Sequence, residues 1–341
     1  MKKLLNTLYV TTHGAYLSKE RETVKISIEH ETKLRVPIHN LENIICFGNV
    51  SCSPFLMGFC AKNNVQISFL TEYGKFLARI QGPISGNVML RREQYRKADN
   101  ENFSADFARS IVIAKINNSR AVILRTAREK PELNQTLKKT ASKMLKLLKE
   151  LKEPIKLDSV RGVEGMAAKE YFNVFDLLIV NQKDDFFFHK RSRRPPLDKM
   201  NALISFLYTI LMHDISSALE AVGLDPAVGY LHRDRSGRPG LALDLMEELR
   251  PYIADRLALT LVNRNQIKGK DFINSESNAI VMSEKGRKLL LTTYQKRKQD
   301  EIMHPFLNEK ISVGLLPHAQ TLLMARFLRG DIDAYPPFVI K

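Results

Sequence analysis

The chain has 341 residues, no tryptophan and only three cysteines. Without tryptophan, and with no stretch in which aromatic and basic residues interleave, it lacks the stacking platform that holds single-stranded nucleic acid. Cys46, Cys52 and Cys60 are odd in number, and their spacings of six and eight match no common zinc pattern. That argues against a disulfide framework and predicts reduced thiols in or near a core, as in a cytoplasmic protein. Long apolar runs are also missing. The longest, Ala202 to Met212, is too short to span a bilayer. The opening Met1-Lys2-Lys3-Leu4-Leu5 imitates a signal peptide, but Asn6, Thr7, Thr11, Thr12 and His13 interrupt it and no small-residue cleavage site follows. A cytoplasmic protein with no membrane partner is therefore expected.

Acidic residues are scarce beside basic ones. The net charge is +16, which points to a polyanionic partner. Residues 1–90 carry 10 basic and 6 acidic residues, 91–157 carry 17 and 8, and 158–341 carry 26 and 23, so over half of the excess lies in a fifth of the chain. Hydrophobic residues make up 44% and charged residues 26%, as in a globular protein with a substantial core.

Residues 1–85 read as strands. Segments 8–10, 23–28, 33–38, 43–47 and 65–70 are short, rich in β-branched residues and partly alternating, with a helix predicted from Ser53 to Asn63. Gln81 to Asn87 is rich in turn formers and reads as a linker. From about residue 91 apolar residues recur at three- and four-residue spacing. Helices are predicted at 103–126, 131–151, 160–180, 198–222, 241–263, 282–298 and 315–329. The expected fold is two-domain α+β: a small β-rich domain over 1–85, a linker over 86–100, and a larger all-helical catalytic domain over 101–341.

Four potential metal ligands lie in the helical part. Glu164 sits among Gly162, Gly165, Ala167 and Ala168, which leave room for something to approach; Ser159 is a plausible cap that would put Glu164 in the first or second turn. Asp244 and Glu247 are three apart and Asp244 and Glu248 four apart, so they share a helix face and call for a nearby cation. Pro251 should end or bend that helix. His232 directly precedes Arg233-Asp234-Arg235-Ser236-Gly237-Arg238, a basic loop suited to phosphate. Taken singly, a capping glutamate, a solvated acidic face and a structural histidine explain these residues as well. Taken together, carboxylates and an imidazole in a basic protein fit a divalent metal held against a phosphodiester. Phosphoryl transfer is mostly positioning and charge neutralisation, and oxygen donors suit Mg²⁺ or Mn²⁺, the imidazole favouring Mn²⁺.

Four stretches carry a resemblance. They are Gly162 through Phe172, Arg193 through Ser205, Gly223-Leu224-Asp225-Pro226 leading to Gly229-Tyr230-Leu231-His232, and Leu241 through Pro251. In this order and spacing the chain resembles the CRISPR-associated spacer-acquisition integrases and endonucleases, the first of the universal Cas proteins. The likeness runs over nearly its whole length, and the ending Leu328 through Phe338 looks most like the subtype I-C branch. Where many relatives carry Asp-Pro-Val before the Asn, this chain has Lys199-Met200 before Asn201.

The resemblance implies an N-terminal β-sandwich used for dimerisation and a helical catalytic domain. It implies homodimers that assemble with a small ferredoxin-like second Cas protein. The implied reaction joins the 3′-hydroxyl of a foreign double-stranded DNA fragment to a CRISPR repeat by transesterification. Glu164 and His232 match the family's first two metal ligands, Glu247 matches the third, and Asp244 matches a neighbouring acidic catalytic position.

DNA contacts are expected from Arg91 and Arg92 and from Arg193, Arg194 and Asn201, unless an Arg194–Asp198 pair merely ties a loop to a helix. Arg233, Arg235 and Arg238 of the basic loop are expected to join them. The lysine face formed by Lys139, Lys143 and Lys146 is either a solvated surface or a further backbone contact. Two other readings compete: a metal-dependent nuclease for branched DNA, and a non-catalytic DNA-binding scaffold.

Overall fold

The computed structural model describes residues 7–74, 76–80, 82, 88–275 and 278–340. Of the expected linker 81–87, only Gly82 lies among them. The chain divides into two compact units. One gathers the described residues of 1–86 with 282–300 and 312–315; the other gathers those of 87–281, 301–311 and 316–341.

The first unit contains β1 (Thr7–Val10), β2 (Tyr16–Glu20), β3 (Thr23–Ile28), β4 (Glu31–Pro37), β5 (Asn43–Phe47), β6 (Ser51–Cys52), helix α1 (Pro54–Lys62), β7 (Gln66–Leu70) and β8 (Phe76–Ile80). The Ser53 hydroxyl caps α1 by accepting from the Leu56 amide at 3.2 Å, as its sequence predicts. One sheet has the order β1-β5-β7-β8, with the first three strands parallel. The other has the order β4-β3-β2-β6, in which β2, β3 and β4 form an antiparallel meander.

Leu17, Val24 and Ile26 from one sheet meet Ile44, Cys46 and Ile67 from the other in a single core with Leu56, Phe59 and Cys60 of α1. This is the expected sandwich-like β domain. Burial pushes the Cys46 and Cys60 thiols up to about 12, so they remain protonated core residues. On the outermost strands, Leu34, Phe76 and Leu77 are 48%, 47% and 57% exposed.

The helices that follow are α2 (Val88–Ala98), α3 (Glu101–Glu129), α4 (Asn134–Glu150), α5 (Leu157–Asn173), α6 (Lys199–Val222), α7 (Gly240–Arg250), α8 (Arg256–Asn263), α9 (Glu284–Lys298) and α10 (Leu316–Arg329). Each covers a stretch whose apolar period predicted it, apart from α2. The units divide differently from the expected 1–85, 86–100 and 101–341. The stretch read as a linker carries α2, which belongs to the helical unit, while α9 returns to the β unit. All five residues of β5 are buried, and a strand buried on both faces needs cover on both. Helix α9 is tied to this sheet, its Gln295 amide donating to the Thr7 carbonyl on β1 at 3.0 Å.

Nor is the region after residue 101 purely helical. Short strands pair as Phe272–Asn274 with Ile280–Met282 and as Glu301–Met303 with Lys310–Ser312. Three-residue strands carry too little periodicity to be seen in sequence.

In the helical unit α3 packs against α4, α5 and α7. Helix α6 is apolar and long enough to cross a membrane, but 78% of its apolar window is buried inside the protein, where it serves as the core helix. Its N-terminus is capped by Asp198, which accepts from the Asn201 amide at 2.6 Å. Helix α7 ends at Arg250, and at Pro251 the backbone passes into a helical turn of another kind. Lacking an N–H, Pro251 leaves a π-helical turn over Pro251–Asp255, closed by the Arg256 amide on the Pro251 carbonyl, and α8 then continues.

Asp255 in that turn is buried and accepts from the Tyr208 hydroxyl at 2.7 Å and the Tyr171 hydroxyl at 3.0 Å, joining α5, α6 and α8. Burial pushes its carboxyl up to about 6, although both tyrosines and the nearby Arg250 and Arg191 favour the charged form. A raised folded-state value means the native state holds its proton longer than the unfolded chain. This contribution to stability is complete below about pH 4 and lost as pH rises through about 6, amounting to on the order of 3 kcal/mol. Denaturant titrations of wild type and Asp255→Asn at pH 4 and pH 7 should show the wild type losing more stability on going to pH 7. Parallel pH profiles would contradict this assignment.

Candidate active site

Helix α7 carries Asp244, Glu247 and Glu248 within two turns, and all three are buried. Each turns to a different neighbour.

Asp244 is fully buried and faces the 229–232 loop. Its Oδ2 accepts from the Tyr230 amide at 2.6 Å and the Leu231 amide at 3.0 Å; its Oδ1 accepts from the His232 amide at 3.0 Å and contacts His232 Nδ1 at 2.7 Å. Four donors fill the capacity of a carboxylate. The loop lies so close that a Cβ on Gly229 would meet Asp244 Oδ2 at 2.7 Å and the Gly240 carbonyl carbon at 2.6 Å, so only glycine fits. Because Nδ1 faces a carboxylate, it carries the proton, and the free lone pair of a neutral His232 is on Nε2. Asp244, expected at a catalytic position, thus has its two oxygens engaged by the loop and the His232 ring.

Glu247 faces the helix bundle. Its Oε1 lies 2.7 Å from Arg250 on the next turn and 3.8 Å from His232 Nε2, and its Oε2 lies 2.7 Å from Lys115 Nζ of α3. The same ammonium contacts Glu164 Oε1 of α5. Burial opposes the charge on Glu247 most strongly, but Arg250, Lys115 and His232 outweigh it and hold the carboxyl down at about 2. Glu164 and Glu247 thus share one ammonium, and His232 Nε2 stands 3.8 Å from Glu247. Among the described residues no three carboxylate, imidazole or thiol groups stand ready to enclose a metal ion. The Lys115 ammonium contacts both Glu164 and Glu247.

Helix α5 begins at Leu157, not at Ser159, so Glu164 lies in its third turn. The buried stripe Leu157, Val160, Val163, Ala167 and Tyr171 begins at residue 157, and burying Leu157 extends the helix back to it. A Cβ on Gly162 or Gly165 would meet nothing within 4 Å, so the helix face beside Glu164 is open.

Glu248 faces the end of the chain. It accepts from the Tyr335 hydroxyl at 2.6 Å, the Phe338 amide at 2.6 Å and the Gln320 amide at 3.0 Å. Asn118, one turn beyond Lys115 on α3, donates to the Phe338 carbonyl at 2.8 Å and accepts from the Ile340 amide at 2.8 Å. The C-terminal segment is thereby fastened to the two helices that supply Glu247 and Lys115.

A cleft of about 550 Å³ opens over Glu164 and His232, lined also by Asp158, Arg161, Gly162, Leu231, Arg233, Arg235 and Arg238. The Arg161 guanidinium donates to the Leu231 carbonyl at 2.7 Å and to Asp158 at 2.8 Å, bracing the His232 loop. The three loop arginines expected to contact DNA are at this cleft; Arg91, Arg92, Arg193 and Arg194 are not among its lining residues. Arg91 and Arg92 lie on α2, which is docked to the same loop by Gln94, whose amide donates to the Asp225 carbonyl at 2.8 Å and the Val228 carbonyl at 2.9 Å.

Arg193 and Arg194 are exposed on the loop before α6, and no Arg194–Asp198 ion pair forms among the described residues. Asn201 is corrected outright. It is fully buried, accepting from Arg191 and the Ser192 amide and donating to the Lys190 carbonyl and Asp198, so no polar atom remains for DNA. Lys138, Lys139, Lys143, Lys146 and Lys149 are exposed on α4, with Lys143 reaching Glu170 at 3.2 Å.

Sequence reasoning missed Lys115, Arg250, Arg161 and Gln94. Lys115 had a signal: it falls on the buried face of α3 among Ile111, Val112, Ile116 and Ser119. A lysine at a core position needs a buried partner.

Replacing Asp244 by Asn would set an amide N–H₂ against loop donors. Asp244→Asn should lose roughly 2–4 kcal/mol in urea denaturation, and its Tyr230, Leu231 and His232 amides should exchange hydrogen faster. Unchanged stability and exchange would show that Asp244 does not hold this loop.

Residues 8–296 match the family pattern described as CRISPR associated protein Cas1. The chain is 55% identical over 341 residues to CRISPR-associated endonuclease Cas1 1 of Chlorobaculum tepidum, covering 99% of each. It is 46% identical to CRISPR-associated endonuclease Cas1 1 of Moorella thermoacetica, covering 100% of each. Among solved structures, a Cas1 protein from Thermotoga maritima superposes with a TM-score of 0.81 at 24% identity, over 98% of this chain and 100% of that one. A casposase bound to integration product superposes with a TM-score of 0.85 at 22% identity, over 99% and 95%. Shared sequence over almost its whole length places this chain in the Cas1 family of CRISPR-associated endonucleases.

Proposed function

We propose that this Cas1 protein is a metal-dependent DNA integrase of CRISPR adaptation, and that it joins the 3′-hydroxyl of a foreign DNA fragment to a CRISPR repeat. The observation that carries the reading is that Glu164 and His232 line a cleft edged by Arg161, Arg233, Arg235 and Arg238, while the buried Glu247 behind them shares the Lys115 ammonium with Glu164 and lies 3.8 Å from His232 Nε2.

The donor set fits a divalent cation. Two carboxylates already share one cationic partner, and the imidazole presents Nε2 because Asp244 holds Nδ1. Glu164, His232 and Glu247 would hold Mg²⁺ or Mn²⁺, which when bound supplies Lewis-acid stabilisation of charge on the reacting phosphodiester. The protein's own groups do the rest. Arg233, Arg235 and Arg238 bind backbone phosphates, the open face at Gly162 and Gly165 admits the DNA strand, and Arg250 keeps Glu247 ionised. A bond forms from the attacking 3′-oxygen to phosphorus while the bond to the displaced 3′-oxygen breaks, and the proton lost by the attacking hydroxyl is balanced by one gained on the displaced oxygen. One phosphodiester replaces another, so the step needs no external energy source.

The partners follow from the same reading. Exposed apolar residues on the outer strands β4 and β8, Leu34, Phe76 and Leu77, support a homodimer through the β unit. Similarity to a chain of a Cas6-RT-Cas1–Cas2 complex supports a ferredoxin-like Cas2 partner, with double-stranded DNA held across the assembly in the cytoplasm. The ending Leu328 through Phe338 supports the subtype I-C branch. The relatives' designation as endonucleases favours one second reading, in which water replaces the 3′-hydroxyl and the product is a cut.

A labelled short duplex incubated with the protein, Cas2 and a supercoiled plasmid bearing a repeat separates the two. Label joined covalently to the plasmid is expected; nicking without joining would leave the nuclease reading. Glu164→Ala and His232→Ala should each lower joining by at least about 10²-fold while DNA binding persists, and wild-type joining in EDTA would defeat metal dependence. DNA affinity should fall by orders of magnitude between low and physiological salt; a flat response would remove the arginine–phosphate contacts.

A further inference from the structure

Lys115 is 7% exposed in the middle of a 29-residue helix. A buried ammonium is strongly unfavourable unless paired, and this one contacts Glu164 of α5 and lies 2.7 Å from Glu247 of α7. Glu247 has a second cation, Arg250, at 2.7 Å. The two differ in freedom. Arg250 is on the same helix as Glu247 and its guanidinium lies 4.8 Å above the Tyr208 ring, so it is fixed from two sides. Lys115 is a compact charge on a flexible four-carbon stem that reaches its two carboxylates from another helix.

Two carboxylates and two cations balance without any further ion. A divalent cation entering between Glu164 and Glu247 would meet the Lys115 ammonium within a few ångström, and like charges at that distance repel strongly. We propose that Lys115 is a built-in placeholder: its ammonium holds Glu164 and Glu247 together in the metal-free protein, and a divalent cation binds by displacing it. Lys115 is then a positioning residue that sets metal affinity. This rests on Glu164, His232 and Glu247 being the metal ligands.

Two measurements on the full chain test it, with Mn²⁺ as the probe. Calorimetric titration should show Lys115→Met binding Mn²⁺ at least about tenfold more tightly than wild type, because a repelling charge is gone, and its melting temperature should rise more on adding Mn²⁺. Lys115→Gln, which keeps an N–H donor, should behave likewise if Lys115→Met does not fold. In the wild type, reductive methylation followed by peptide mass spectrometry should label Lys115 slowly without metal and severalfold faster with Mn²⁺. Equal or weaker binding by the variants, or labelling of Lys115 that Mn²⁺ does not accelerate, would overturn the placeholder role. The same titration on Glu164→Gln and His232→Ala separates the two failures. Mn²⁺ binding that needs neither residue would overturn the ligand assignment itself, and the placeholder with it.

Discussion

Three ionisable carboxylates buried on one short helix set the constraint around which the helical unit is organised. A buried carboxylate is tolerated only when cations or donors surround it, and Asp244, Glu247 and Glu248 are too close together for one partner to serve all three. Helix α7 resolves this by sending each to a different neighbour. Asp244 takes three amides and an imidazole from the 229–232 loop, Glu247 takes Lys115 and Arg250, and Glu248 takes the C-terminal segment. Satisfying these groups shapes a loop, fixes the packing of α3 against α7 and fastens the end of the chain.

The same arrangement fixes the position of the candidate site residues. His232 stands on a loop, and loops alone place side chains loosely. Here the loop is gripped by Asp244, braced by Arg161, docked on α2 through Gln94, and pressed so close to α7 that Gly229 and Gly240 nearly touch. Glu247 is held ionised by its cations, whereas Glu248, its immediate neighbour, is surrounded by neutral donors and pushed by burial up to about 7. Neighbouring residues on one helix thus differ in charge tendency because one faces cations and the other does not.

Electrostatics works at two ranges in this protein. Close in, Lys115 and Arg250 neutralise Glu164 and Glu247 without a bound ion. Farther out, exposed Arg233 and Arg235 and the exposed lysines of α4 add surface positive charge, α4 lying in the stretch that holds over half of the excess. The inner charges are matched and buried; the outer ones lie at the surface, where Arg233 pairs with Asp158 and Lys143 with Glu170.

Much of this was legible in the sequence. Apolar periods gave the β-rich N-terminal part and nearly every long helix, the Ser53 cap marked α1, and carboxylates at three- and four-residue spacing marked α7. Residue type and family likeness singled out Glu164, His232 and Glu247 as candidates. What only the tertiary structure decided is which groups face one another. It gave Asp244 to the loop and Asn201 to a buried network, brought Lys115 from another helix into contact with two carboxylates, and returned α9 to the β unit. Periodicity is a local property, fixed by a few neighbouring residues. Partnership between charges some 50 to 130 positions apart in the chain depends on how helices pack, and no local pattern records it.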